Sequence, residues 1–197
     1  MKDEKTLCIS TEELKNVFDL DKGFWRCDTN IINSLSYTYI PRCSAESDYS
    51  YKQIIPYTLV FNSAGKILYY QRCGSEKRLS GLCSAGIGGH VNDKDYGYSL
   101  YEKIIAGLKR EMKEELGINV TDNQLHFLGM INEELTDVGH CHIGMVFKII
   151  LEDCSLMDFE NEIGHPNWEF PSMLDLSNFE LWSALAIKLD LVSKRPV

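Results

Sequence analysis

An α/β (α+β) domain, a mixed sheet flanked by helices, is what this sequence predicts, and three observations predict it. Two runs rich in β-branched and aromatic residues, IIPYTLVFN (54–62) and KILYYQRC (66–73), bracket a glycine-containing turn and read as a hairpin. One prominent amphipathic helical pattern follows over residues 99–116. Two further strand-like runs, HFLGMI (126–131) and HIGMVFKIIL (142–151), come after it. Strands on both sides of a single long helix suggest a mixed sheet with helices against it. The 197 residues fit one domain, 1–197, better than two. At 44% hydrophobic and 25% charged, the chain has the apolar mass for a globular core.

Taken in order, TEELKNVF (11–18) reads as a short helix capped by Thr11. Residues 20–50 read as loops around one or two short strands, such as 36–40. After the hairpin, SAGIGG (84–89) reads as a glycine-rich loop, and residues 90–97 are polar. Ser99 and Glu102 then have capping-box spacing. Tyr101, Ile105, Leu108, Met112 and Leu116 form one apolar stripe, and Gly117 is a C-terminal stop. The connection NEELTDVGHC (132–141) is acidic. Residues 152–171 read as irregular with a short strand near 168–170. A last amphipathic helix fits 178–191, carrying Phe179, Trp182, Leu185, Ala186 and Leu189.

Charge and cysteine content narrow the function. The net charge is −9 and no basic stripe is visible, which argues against a nucleic-acid polymer as partner. A small phosphorylated substrate stays open, because bound cations can reverse the sign locally. Seven cysteines, Cys8, Cys27, Cys43, Cys73, Cys83, Cys141 and Cys154, are odd in number, scattered, and never spaced C-x-x-C. That is a poor disulfide framework and a poor zinc site, and it suits reduced thiols in a cytoplasmic protein. The first residues are charged with no apolar core, so no secretory signal is expected. No apolar run approaches the roughly 18 residues that cross a bilayer, so no membrane partner is expected.

The sharpest local anomaly is REMKEELGIN (110–119). On a helix, Glu111, Glu114 and Glu115 fall within an arc of about 100°. Like charges at this spacing cost about 0.2–0.5 kcal/mol per pair, and the C-terminal turns are where the helix dipole disfavours anions. Lys109 and Lys113 offset this only in part. Either the helix face is simply solvated, or the carboxylates share a hard divalent cation such as Mg²⁺ or Mn²⁺.

The spacing extends the pattern. Glu102 stands eight residues before Arg110, with Gly88-Gly89 upstream. The order Gly…Glu-x7-Arg-Glu-Met-x-Glu-Glu-x-Gly-Ile resembles the Nudix box, Gly-x5-Glu-x7-Arg-Glu-U-x-Glu-Glu-x-Gly-U with U a bulky aliphatic. From Glu102 to Ile118 every defined position matches. The glycine departs: Gly89 lies thirteen residues before Glu102, where the pattern wants six. The expected position holds Tyr96, with Gly97 one residue off. Gly89 is the preferred equivalent, which puts a seven-residue extension between loop and helix and the box at 89–118. KQIIPYTLVFN, EKRLSGLCSAGIGGHV and HIGMVFKI also resemble a Nudix subgroup of predicted phosphoesterases, over residues 35–192, with residues 1–34 as an N-terminal extension packed on that core.

That resemblance implies an α/β/α sandwich and a hydrolase that attacks a phosphoanhydride, such as a nucleoside diphosphate linked to another moiety, with water. It implies Glu111, Glu114 and Glu115, with the Gly89 carbonyl, as ligands of Mg²⁺ or Mn²⁺. Arg110 would pair with Glu102 or Glu111 and fix its rotamer. Glu114, Glu115, Glu133 or Glu134 could be the general base, although the last two also read as solvated loop residues. Gly88, Gly89, His90 and Arg72 are candidate substrate contacts; Lys77 and Arg78 are alternatives, and surface charge is the plainer reading for most of these cations. His140 and His142 flank Cys141, but a zinc site wants more ligands. Phe24, Trp25, Trp168 and Trp182 read as core, with Trp168 the outside candidate for stacking a nucleobase. Two rival functions remain: a non-catalytic ligand-sensing or protein-binding module, and chemistry like that of isopentenyl-diphosphate isomerase using Cys83. A homodimer is left open.

Overall fold

The computed structural model describes residues 4–72, 81–152 and 163–193. β1 (Lys5–Ser10) leads into α1 (Thr11–Val17), followed by β2 (Phe24–Trp25), α2 (Thr29–Ser34), β3 (Thr38–Pro41) and α3 (Arg42–Ala45). Next come β4 (Tyr51–Asn62), β5 (Ile67–Arg72), β6 (Cys83–Ser84), β7 (Gly86–Gly88) and α4 (Leu100–Leu116). The chain continues through β8 (His126–Ile131), α5 (Asp137–Cys141), β9 (His142–Leu151), β10 (Ile163–Glu169) and α6 (Leu181–Ser193).

The strands form one mixed sheet in the order β10-β5-β4-β9-β8-β2, with β1 and β7 also on β4, β3 on β1, and β6 on β5. At its centre β4 runs parallel to β9 from Gln53↔His142 to Asn62↔Leu151. The predicted hairpin is present, but β5 pairs with β4 only beside the turn, at Phe61↔Ile67. Further along, β7 takes over on β4, from Tyr57↔Gly88 to Leu59↔Gly86. Side chains alternate across the sheet as the two-residue strand repeat demands. Ile54, Val60, Met145, Phe147 and Ile149 pack in one core with Ile104, Leu108 and Met112 of α4. Tyr57, Leu59, Phe61 and Val146 pack in another with Ala184, Ile187 and Leu189 of α6. The expected α/β/α sandwich is therefore observed. Each large apolar side chain buried this way contributes about 1.5–3 kcal/mol. Lys148 of β9 ties the sheet to α6 through Asp190 at 3.1 Å.

Several element boundaries differ from the sequence-based expectation. SAGIGG is not a loop: most of it forms β6 and β7. A Cβ on Gly86 would overlap the Tyr57 ring, so glycine is what lets this strand lie flat on β4. The cap of α1 is Ser10, whose hydroxyl accepts from the Glu13 N–H, rather than Thr11. Residues 20–50 hold two short helices and two short strands. The strand near 168–170 begins earlier, at Ile163, and pairs with β5. The last helix starts at Leu181, after Phe179. No helix among the described residues is long and apolar enough to cross a membrane.

Gly86→Ala should destabilise the fold by about 1–3 kcal/mol through overpacking on Tyr57. Urea unfolding should show a lower midpoint with an unchanged slope.

Candidate active site

The helix that carries the carboxylates is fixed at both ends. Ser99 and Glu102 form the capping box, and Glu102 also accepts from the Tyr98 N–H at 2.7 Å. Gly117 closes the helix with φ +67°, a conformation glycine adopts without steric cost. Leu100, Ile104, Ile105, Leu108, Met112 and Leu116 are buried, and Arg110, Glu111, Glu114 and Glu115 lie along one edge of that buried stripe.

Arg110 organises that face. Its Nε and one terminal nitrogen fork onto Asp95 at 3.0 and 2.9 Å, and the same terminal nitrogen donates to the His90 carbonyl at 2.7 Å. The other terminal nitrogen donates to Glu111 at 2.6 Å and to Glu114 at 3.1 Å. The Asp95 carboxylate foremost, then Glu111, hold the guanidinium proton more firmly than usual. Glu102 is not a partner of Arg110; its carboxylate is committed to the helix cap. Asp95, by contrast, was invisible in the polar run VNDKD, where it looked like any turn residue. Its side chain is only 5% exposed, and it also accepts from the Asn92 N–H at 2.9 Å.

Glu111 is far more buried than Glu114, at 15% side-chain exposure against 56%. Burial pushes its proton affinity up; Arg110 opposes this, and Glu114 and Asp95 add to it. The backbone of Gly89 lies directly against this carboxylate, where a Cβ would overlap it. Gly97 lies instead over the first turn of α4, against Glu102 and Lys103. Among the described residues, no three His, Cys, Asp or Glu side chains converge as they stand into a metal cage, since Glu111 and Glu114 are turned onto Arg110. The donor set nevertheless fits a hard dication. It offers carboxylate oxygens and a bare glycine backbone, on a buried carboxylate whose one neighbouring cation is shared.

A cavity of about 500 Å³ opens beside this face, with Glu115 and Gly88 in its wall. His90 lines it too, and its Nε2 meets the Nε2 of His142 at 3.0 Å. His142 Nδ1 lies 2.8 Å from the Val138 carbonyl, which requires a proton on Nδ1. Its Nε2 is then the acceptor, and His90 Nε2–H donates. Both rings are neutral: burial first, then Arg42, His142 and Arg110, push His90 down to about 3, and burial likewise lowers His142. His140 points elsewhere, onto Glu134 at 3.0 Å, so the two histidines flanking Cys141 do not form a metal pair.

The acidic connection 132–141 is a built wall, not a solvated loop. Glu133 is buried and accepts from the N–H groups of Leu135 and Thr136 at 2.7 and 3.1 Å, and from the Thr136 hydroxyl. Lys52, fully buried on β4, donates to the carbonyls of Gly139, His140 and His142 at 2.5, 3.3 and 3.4 Å. It also pairs with Glu134 at 2.9 Å. At another part of the wall, Glu180 accepts from Tyr57 and Ser183 hydroxyls, both at 3.0 Å, and from Ser84. Trp182 lines the cavity against Tyr57, ring centroids 5.9 Å apart. Trp168, the outside candidate for stacking a nucleobase, packs on the core, as its plainer reading expects. Cys83 is not among the lining residues. The Arg72 side chain, Lys77 and Arg78 lie outside the described residues.

No family model matches the sequence. Protein YmaB of Bacillus subtilis (strain 168) is 33% identical over 162 residues, which is 78% of either chain. Among solved structures, Tm1382, a candidate Nudix hydrolase, superposes with a TM-score of 0.72 at 29% identity, covering 95% of this chain and 99% of its own. The MutT protein from Methanosarcina mazei Go1 shares the fold, with a TM-score of 0.54 at 22% identity over 72% of this chain and 95% of its own. The chain belongs to the Nudix hydrolase superfamily.

The neutral His90 has a pH signature. Its folded-state affinity, near 3, lies below the ordinary 6.5. Between those values the unfolded chain takes up a proton that the folded one refuses, so stability falls as pH drops through this window, by up to about 1.4 kcal/mol per pH unit. Denaturant titrations of metal-free protein should show a flatter acid limb in His90→Asn than in wild type.

Proposed function

We propose that this protein is a Mg²⁺- or Mn²⁺-dependent hydrolase of a small phosphoanhydride, such as a nucleoside diphosphate linked to another moiety. One observation carries the reading: the Glu111 carboxylate, seated on the Gly89 backbone and anchored by Arg110, belongs to a helix face that reaches the 500 Å³ cavity through Glu115. That volume suits a small-molecule ligand. Glu111, Glu114, Glu115 and the Gly89 carbonyl would hold the dication, which when bound neutralises charge on the phosphates and makes a water a stronger nucleophile. Arg110 keeps Glu111 and Glu114 from splaying and fastens the His90–Asp95 segment to the same helix. Glu115, the box carboxylate in the cavity wall, takes the proton from the attacking water. Glu133 is the weaker candidate for that task, because both of its oxygens already accept bonds from the wall. The wall formed by residues 133–142 shields the reacting group from bulk water. The isomerase reading loses support because Cys83 is absent from the cavity lining.

Purified protein should release phosphate, or a nucleoside monophosphate, from a panel of nucleoside diphosphate derivatives with Mg²⁺, and EDTA should stop it. Glu114→Gln and Glu115→Gln should each lower kcat by at least ~10². Turnover at the wild-type rate in both variants would reject this carboxylate assignment.

A further inference from the structure

The cavity is lopsided in charge. Its described lining includes the carboxylates Glu46, Glu115, Glu133, Asp137 and Glu180, and Arg42 is the one cation among them. His90 and His142, the remaining basic groups of that lining, are bonded to each other through their Nε2 atoms. A dication on the Glu111–Glu115 face can balance only the phosphate next to it. A phosphoanhydride carries at least one further anionic phosphoryl group, and that group too must find a partner when it leaves water.

Arg42 is placed and free to act as that partner. It opens α3, where its own N–H donates to the Glu4 carbonyl at 2.9 Å. Its Nε donates to Glu46 at 3.1 Å, and one terminal nitrogen stands 3.6 Å from the Glu4 carboxylate. The side chain is 40% exposed, and Glu46 is 51% exposed. Exposed ion pairs of this kind hold a side chain only weakly, so an incoming phosphate can displace them. The planar fork of a guanidinium matches two phosphate oxygens at once. Arg42 lines the same cavity as Gly88, His90 and His142, so a ligand seated on that backbone is within the cavity that Arg42 borders.

We infer that Arg42 is a substrate-binding residue that clamps non-bridging phosphate oxygens of the phosphoanhydride, releasing Glu46 as it does so. This deepens, and rests on, the hydrolase reading of the same cavity. It also gives the segment ahead of β4 a task at the site: β3 and α3 deliver a cation to a cavity lining in which α4 places Glu115.

The test is calorimetric titration with methylenediphosphonate in Mn²⁺, a diphosphate mimic that cannot be hydrolysed. Hydrogen bonds to charged groups contribute enough to make the expected loss about tenfold or more in Kd. Arg42→Ala should show it, and Arg42→Gln, which keeps the side-chain stem, stands in if the alanine variant loses structure. Arg42→Lys should recover part of the affinity, and Glu46→Gln should bind at least as tightly as wild type. A loss below about threefold in the neutral variants, or wild type that binds no diphosphonate, overturns the proposal. Binding that depends on Arg42 without turnover of any diphosphate would instead overturn the hydrolase reading and leave Arg42 in its role.

Discussion

The guanidinium of Arg110 is the interaction on which the site depends. Asp95, Glu111 and Glu114 crowd around one point with the His90 carbonyl. Without a cation there, three carboxylates would repel each other across a partly buried surface. Arg110 suits the task because its five N–H donors lie in one plane and its charge persists at any ordinary pH. By bonding on one side to Asp95 and His90 and on the other to Glu111 and Glu114, it sews the segment after β7 onto α4. Gly89 is thereby brought against Glu111, and the lack of a side chain at that glycine is what makes the approach sterically allowed. The glycine and the carboxylates thus form one unit, drawn from a single continuous stretch of the chain, 89–114.

The rest of the cavity is stiffened by a second buried cation. Lys52 lies in the fully buried part of β4 and is surrounded by carbonyls from the end of α5 and by Glu134. Taking an ammonium out of water is costly unless its donors are all used, and here they are spent on one short segment. Glu133 braces the same segment from the other end. The turn at 133–136 and the short α5 therefore keep their shape, and His142 is delivered to the cavity at the start of β9.

What could be read from the sequence follows from how local each signal is. The capping box, the apolar stripe of α4 and the glycine stop depend on residues within a few turns of one another, and they appear in the structure as expected. The central strands announced themselves by composition. SAGIGG was misread because glycines suggest a loop, whereas here two of them are small to fit beside Tyr57, a residue well upstream. Asp95 and Lys52 carried no local sign of their roles, since each acts on partners beyond its own turn or strand. The same holds for Glu133 and Glu134, which look solvated in a charged run and are in fact tied down. That Trp182 rather than Trp168 reaches the cavity was not legible either: which face of the sheet a tryptophan occupies is decided by strand register and by where α6 docks.

The parallel pairing of β4 with β9 has a consequence for assembly. Gln53 must wait for His142, and Asn62 for Leu151, before the middle of the sheet can close. As the chain emerges, β4 is complete long before its main partner exists, and its ten inner residues are all buried in the finished fold. Distant contacts of this type slow folding and leave strand edges open to other chains meanwhile. β5 and β7, which follow β4 closely and stay paired with it, cover one edge early; the other stays vulnerable until nearly three quarters of the polypeptide has been made.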